Sequence, residues 1–596
     1  MFIINTIAHT RMFMLVKVFQ NNIFSYFDES SFKETLALVF FILINWKEAN
    51  KMTQKSISQI ETIVDQNIEN LKIYNYDTRS VILFLCQLFE RRVNNIKKIN
   101  HILTEIIPVE FAVFGINSIT SFREKILDEH EALSLLVREV MKRDGIKEQL
   151  ECLEDREIIQ IGNEAFERAL EQIRAESLFT SMHRGLFSGT VISDKESKEC
   201  IRFTYKNSEI AFYEAINAQI LNDYNMTKRI NYMSPEELGI RKFNPWTFIK
   251  IRHNANKWMD ADFQLPNDYQ IGPYKIREIK EVWAYVITKA YIEYYSNLSK
   301  ELPTLMELNY KAWRYTYTSM EVAGKLINDL TYKGEKHKKN TKNKFIYTTL
   351  LTEPILEIDG KKLISPTLIL NYQASRNIIS TLNRIYEGHP EFDSSIHSDR
   401  KEGIFTSELI DSLSNYNNFK FSSSIGITKP VKTDVDFAIY DTNSMTLACF
   451  ELKWLNEPVT AVEIHNKDKE LTKAISIQLP NYKLGIEDNI DEFIIKAFKE
   501  KFIVKKIYYF VLTKGTIGSG DIKRDKYQII NQRMLIKALY DYKGDLVKAL
   551  EMLKGNYYQP KDGKHFELVS DIQIKVGDVT LLSDGHRILK AYSLRL

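Results

Sequence analysis

Apolar residues recur at three- and four-residue spacing through most of the chain between residues 30 and 330, as in Ile57, Ile60, Ile63, Val64, Ile68 and Leu71. That is the period of one face of an α-helix, so this half reads as mainly helical. The polar stretch from Tyr332 to Lys344, with Gly334 and six lysines (Lys333, Lys336, Lys338, Lys339, Lys342, Lys344), has no apolar period and reads as an exposed linker. After it the period changes. Phe345 to Leu351 alternates, and Ile355 to Ile358 is followed by Asp359-Gly360 and then Leu363 and Ile364, an Asp-Gly turn between apolar runs that predicts a β-hairpin. A helix is expected over Ala374 to Tyr386, then a loop holding Gly388 and Pro390, and a boundary near residue 398.

Beyond that boundary the pattern predicts a helix over Lys401 to Leu413, strands over Phe419 to Ile427, Thr433 to Tyr440 and Met445 to Trp454, and a helix over Val462 to Leu479. An extra helix near 488–501 and a strand over Ile503 to Thr513 follow; the tail holds one helix, near Gln532 to Leu553, and short strands from Phe566 onward. The expected fold is an α/β domain, a mixed sheet flanked by helices with an αβββαβ core, preceded by a large mainly α-helical N-terminal region. The chain divides into residues 1–331, a region for nucleic-acid or partner binding; 332–398, basic linker, hairpin and helix; 399–530, the α/β core; and 531–596, the C-terminal helix and strands.

Composition narrows the function classes. At 596 residues the chain has room for roughly three or four domains. With 44% hydrophobic and 27% charged residues it is an ordinary globular composition. A net charge of +3 excludes a strong whole-protein field, so nucleic acid would have to be held by a local basic groove. Cys86, Cys152, Cys200 and Cys449 form no CxxC pair, which argues against a zinc site or disulfide framework and for a reducing, cytoplasmic setting. The apolar run from Thr35 to Trp46 is bracketed by charges and shorter than the roughly 20 residues that span a bilayer, so it reads as a buried helix and no membrane partner is expected. Met1 to Phe19 lacks a signal-peptide cleavage pattern.

The chemistry gathers in TDVDFAIYDTNSMTLACFELKW, Thr433 to Trp454. Val435, Phe437 and Ile439 form one apolar face of the first strand, leaving Asp434, Asp436, Ala438 and Tyr440 on the other. Ala448, Phe450, Leu452 and Trp454 are apolar on the second strand, so Leu447, Cys449, Glu451 and Lys453 share the opposite side. If the turn around Thr442 and Asn443 has an even number of residues, Asp436 falls beside Glu451 on one face. Two carboxylates meeting in a partly buried place repel, and are protonated or hold a cation. Oxygen-only ligands favour Mg²⁺, with Mn²⁺ as a substitute, and such an ion beside Lys453 suits phosphodiester hydrolysis without a covalent intermediate.

These residues resemble the PD-(D/E)xK superfamily of restriction-endonuclease-like nucleases: Asp436 as the motif acid, Glu451-Leu452-Lys453 as the ExK strand end, and the α-β-β-β-α-β order around them. The resemblance covers about residues 400–515. It implies metal binding by Asp436, Glu451 and the Leu452 carbonyl, a catalytic role for Lys453, and a further metal-binding Glu on the preceding helix, matched by Glu408. Relatives similar to bacterial exonucleases carry a Gln and a Tyr four apart on the following helix; Gln478 and Tyr482 have that spacing, although Pro480 between them is expected to break or kink the helix. The motif Pro before the Asp is missing, Thr433 and Asp434 standing there. The implied activity is a nuclease, endonuclease favoured over exonuclease and DNA over RNA, in restriction or anti-phage defence, with protein partners of a defence complex or a homodimer. The alternatives are a repair or recombination nuclease, and a catalytically silent nuclease fold serving as a scaffold or nucleic-acid-binding subunit.

Other features carry less. Glu278-Ile279-Lys280 repeats the ExK triplet within a helical segment. Tyr310, Trp313, Arg314 and Tyr317 read as core packing before base stacking, and the lysines from 333 to 344 as a solvated linker before a phosphate grip. Lys467, Lys469 and Lys473 lie on the helix next to the proposed site, on a face equally suited to solvent. No P-loop, GxSxG or HExxH offers a rival chemistry.

Overall fold

A computed structural model describes residues 56–106, 112–143, 150, 155–193, 199–217, 245–297, 300, 303–308, 318–332, 337–338, 345–346, 349–386, 394–455, 461–589 and 594. The expected helix over Thr35 to Trp46, the Tyr310 to Tyr317 stripe and the 387–393 loop lie outside these residues, as do the linker lysines other than Lys338. The described residues mix helices with mixed sheets. Among them no helix is long and apolar enough to cross a membrane.

The N-terminal half is built on long helices: α1 (Thr78–Ile106), α2 (Ala112–Met141) and α3 (Arg156–His183). A hairpin of β1 (Phe187–Ser193) and β2 (Glu199–Tyr205) follows, then α4 (Pro245–Asp262) and α5 (Ile276–Asn297). The predicted Asp-Gly hairpin is β3 (Ile355–Ile358) and β4 (Lys361–Ile364). Asp359 and Gly360 both take positive φ, 52° and 71°, the backbone that a two-residue hairpin turn requires. Helix α6 (Ala374–Tyr386) closes this half around one large core that includes Trp283, Tyr285 and Ile378. His337–Lys338, inside the expected linker, pairs with Phe345–Ile346 just after it. Glu278-Ile279-Lys280 lies in α5, with Ile279 fully buried.

Helix α7 (Ser394–Leu413) begins seven residues before the predicted start, so the boundary expected near 398 falls inside it. Strands β5 (Phe419–Ile427), β6 (Thr433–Asp441) and β7 (Thr446–Lys453) follow. Helix α8 (Ala461–Lys473) passes through one π-helical turn, Ala474–Gln478, into α9 (Leu479–Asp488), and α10 (Ile490–Phe498) leads to β8 (Lys506–Thr513) and β9 (Gln528–Asn531). The sheet order is β5-β6-β7-β8-β9, antiparallel from β5 to β7 and parallel from β7 to β9. Both faces of its centre are covered. Val435, Phe437, Ala438, Ile439, Leu447, Ala448, Cys449 and Phe450 are all fully buried, each large apolar side chain contributing about 1.5–3 kcal/mol to the folded state.

The tail differs from expectation. The single helix predicted near Gln532 to Leu553 is two, α11 (Gln532–Asp541) and α12 (Leu546–Lys554), because Lys543 and Gly544 between them take positive φ of 50° and 80°. The strands after Phe566 are long: β10 (Phe566–Val576) and β11 (Val579–Ile588). Strand β11 lies parallel to β2, so the C-terminal hairpin completes a four-stranded sheet, β1-β2-β11-β10, begun in the N-terminal half. Further ties cross between the halves: Arg376 of α6 holds both carboxylate oxygens of Glu463 at 2.8 Å, Arg400 lies 2.6 Å from Asp268, and Asn217 donates to the Gly518 carbonyl at 2.8 Å.

Candidate active site

The turn between β6 and β7 sets the geometry of the site. Asp441 accepts the Asn443 N–H at 3.0 Å and the Asn418 amide at 2.6 Å, and Met445 takes a φ of 55°, closing a loop over 442–445 in which the even residue count is kept. Phe437 therefore pairs with Phe450, and Ala438 with Cys449. The next step of this register puts Asp436 opposite Glu451, on the face shared with Lys453.

The side chains there are linked. Asp436 Oδ2 accepts the Leu452 N–H at 2.8 Å. Lys453 Nζ pairs with Glu451 Oε1, and the Tyr482 hydroxyl donates to Glu451 Oε2. The Tyr482 oxygen also accepts the Asp436 N–H at 3.3 Å. Glu451 is 1% exposed and Tyr482 fully buried, whereas Asp436 and Lys453 are half-buried and open to an approaching group.

Burial pushes the Asp436 carboxyl up to about 8, with the negative charges of Glu451 and Glu402 adding to the effect and the Leu452 N–H and Lys453 ammonium opposing it. The Tyr482 phenol is raised far above its ordinary range by burial and then by the same two acids of the hairpin.

Asp436 and Glu451 supply the oxygen donors that a divalent ion would need here. The acids crowd enough negative charge to hold a proton near neutrality, and Asp436 Oδ1 accepts no hydrogen bond from a described residue. Among the described residues no group of three or more His, Cys, Asp or Glu forms a metal cage. Two carboxylates suit Mg²⁺, which keeps several waters and uses one or two carboxylates, better than a transition metal.

One residue expected at the site is engaged elsewhere. Glu408 pairs with Lys514, at 2.7 Å and 3.0 Å from its two oxygens, rather than with the acids of the hairpin. The helix carboxylate whose charge reaches Asp436 is Glu402. The chain leaves α7 into β5, which runs antiparallel to β6; six residues at 1.5 Å each separate Glu402 from Glu408 by roughly 9 Å along the helix axis. Gln478 is half-buried and makes no hydrogen bond with a described residue. Pro480 does not break the helix. The π-helical turn, from which the Leu479 N–H reaches back to the Ala474 carbonyl, ends at Gln478, and Pro480 follows it directly in the first turn of α9.

Two lysines of α7 and α8 lie close to each other. Lys401 is half-buried, its ammonium lowered by burial and by the charge of Lys467 on α8; Lys469 and Lys473 are exposed. Compared with known protein families, with curated proteins and with solved structures, the chain matches none of them.

Proposed function

We propose that the chain is a divalent-metal-dependent nuclease that hydrolyses phosphodiester bonds, with DNA the favoured substrate, in a domain of restriction-endonuclease-like fold. The observation that carries this reading is the convergence of Asp436, Glu451 and Lys453 on one face of two paired strands. The helix, three antiparallel strands, helix and parallel strand around them agree with the element order of that fold.

Asp436, Glu451 and the Leu452 carbonyl would hold Mg²⁺, with Glu402 adding charge from α7. When bound, the ion supplies positive charge that neutralises the acids and polarises a phosphodiester. Lys453, oriented by its pair with Glu451, supplies an ammonium at the open edge of the site, where it stabilises charge developing on a phosphate oxygen. Tyr482 holds the second Glu451 oxygen in place. Lys401 and Lys467 supply positive charge for the flanking phosphates.

The test incubates the purified full chain with supercoiled and linear DNA under Mg²⁺, Mn²⁺ or EDTA, beside Lys453→Ala. Metal-dependent cutting that falls at least about 100-fold in the variant is expected. Equal activity in both proteins would mark a contaminant and favour a catalytically silent scaffold.

A further inference from the structure

We infer that Lys514 is a positioning residue for the candidate active site, holding through Trp454 the strand end that carries Glu451 and Lys453; the inference rests on the hydrolase reading above. Lys514 follows β8 directly, and its N–H donates to the Lys453 carbonyl at 3.2 Å. Its side chain is only 7% exposed. The ammonium meets Glu408 at 2.7 Å, lies 3.5 Å from the centroid of the Trp454 ring and stands 5.9 Å from that of Phe405. A buried ammonium is strongly disfavoured without a partner, so carboxylate and indole together fix its place.

Trp454 is the residue after Lys453, and its side chain points to the opposite face of the strand. There it packs against both the large N-terminal core and the core of the five-stranded sheet. Phe405 of α7 meets its ring edge-on, with centroids 6.4 Å apart. Pinning the indole on one face sets the pleat, and the pleat sets how Lys453 and Glu451 project from the other. Reacting groups tolerate little error, a displacement of about 1 Å costing on the order of 100-fold in rate. The ion pair of Glu408, away from the acids, thus acquires a role through Lys514.

The experiment compares the full chain with Lys514→Met, Lys514→Arg and Glu408→Gln by hydrogen exchange, read by mass spectrometry over the 447–455 segment, and by DNA cleavage with Mg²⁺. Lys514→Met is expected to exchange faster in that segment while other segments keep wild-type exchange, and to lower kcat about ten-fold or more at nearly constant KM. Lys514→Arg is expected to restore both, because a guanidinium stacks on indole and bridges a carboxylate. Glu408→Gln, which keeps length and an oxygen acceptor, is expected to give a milder version of the Met effect. Wild-type exchange in the 447–455 segment of Lys514→Met, loosening spread evenly over all segments, or failure of Lys514→Arg to restore would each overturn the positioning role. Local loosening in Lys514→Met beside a wild type that cleaves nothing would uphold the anchoring and overturn the hydrolase reading, so the two failures are distinguishable.

Discussion

Tyr482 donates its hydroxyl proton to Glu451 across the interface between α9 and the sheet, while its oxygen accepts the main-chain N–H of Asp436. One buried phenol therefore touches both strands of the candidate site. Because burial and the neighbouring acids hold that phenol far above its usual range, it stays a proton donor at every working pH. Tyr482→Phe keeps the ring and removes the donor. Cleavage is expected to fall about 10- to 100-fold, as for other groups that orient a metal ligand. A steady-state assay giving the wild-type rate would reduce Tyr482 to packing.

The Asp436 carboxyl is raised to about 8 in the metal-free protein, against about 3.9 in an unfolded chain. The folded state thus keeps a proton that the unfolded state has released between those values. That contribution to stability is complete below about pH 4 and is lost as pH rises through about 8. Thermal melts in EDTA are expected to fall over this window, and Asp436→Asn to raise Tm by several degrees at pH 8. Saturating Mg²⁺ is expected to flatten the dependence, because binding displaces the proton. A flat profile in EDTA would contradict the proposed burial of charge.

Glu402 and Glu408 are both acids of α7, and the structure separates them. Glu402→Gln removes a charge felt by Asp436, so half-maximal cleavage should require about ten-fold more Mg²⁺. Glu408→Gln touches the Lys514 pair instead and should leave the metal requirement unchanged while kcat falls. Metal titrations of cleavage distinguish them, and an unchanged requirement in Glu402→Gln would remove that residue from the site.

Gly520 lies in the loop after β8, where a Cβ would stand 2.1 Å from the Glu209 carbonyl carbon. The same loop is tied to the N-terminal half by Asn217, which accepts from Thr516 and Ile517 at 3.1 Å, and by the Arg524 guanidinium 3.8 Å over the Tyr213 ring. Gly520→Ala forces two backbones apart, and a destabilisation of about 1–3 kcal/mol is expected. Melting curves and limited proteolysis measure it. An unchanged melt would mean that the contact yields without cost.

The candidate pair was legible in the sequence because its geometry is local. Alternation along a strand decides which side chains share a face, and the parity of a short turn decides which residues oppose, so Asp436 and Glu451 could be matched from residues 433–454 alone. The Asp359-Gly360 hairpin was readable for the same reason. Tertiary structure decided what reaches the hairpin from elsewhere. Helical spacing states which residues of α7 share a face but not how far along the sheet the helix lies, so Glu408 rather than Glu402 was expected beside Asp436. The π-helical turn that carries the chain through Pro480 is written in no spacing rule, nor is the pairing of β11 with β2 across most of the chain. Pairings within a hairpin follow from backbone periodicity, whereas docking angles and distant partners follow from how whole elements bury their apolar faces, which becomes determinate only once the cores are packed.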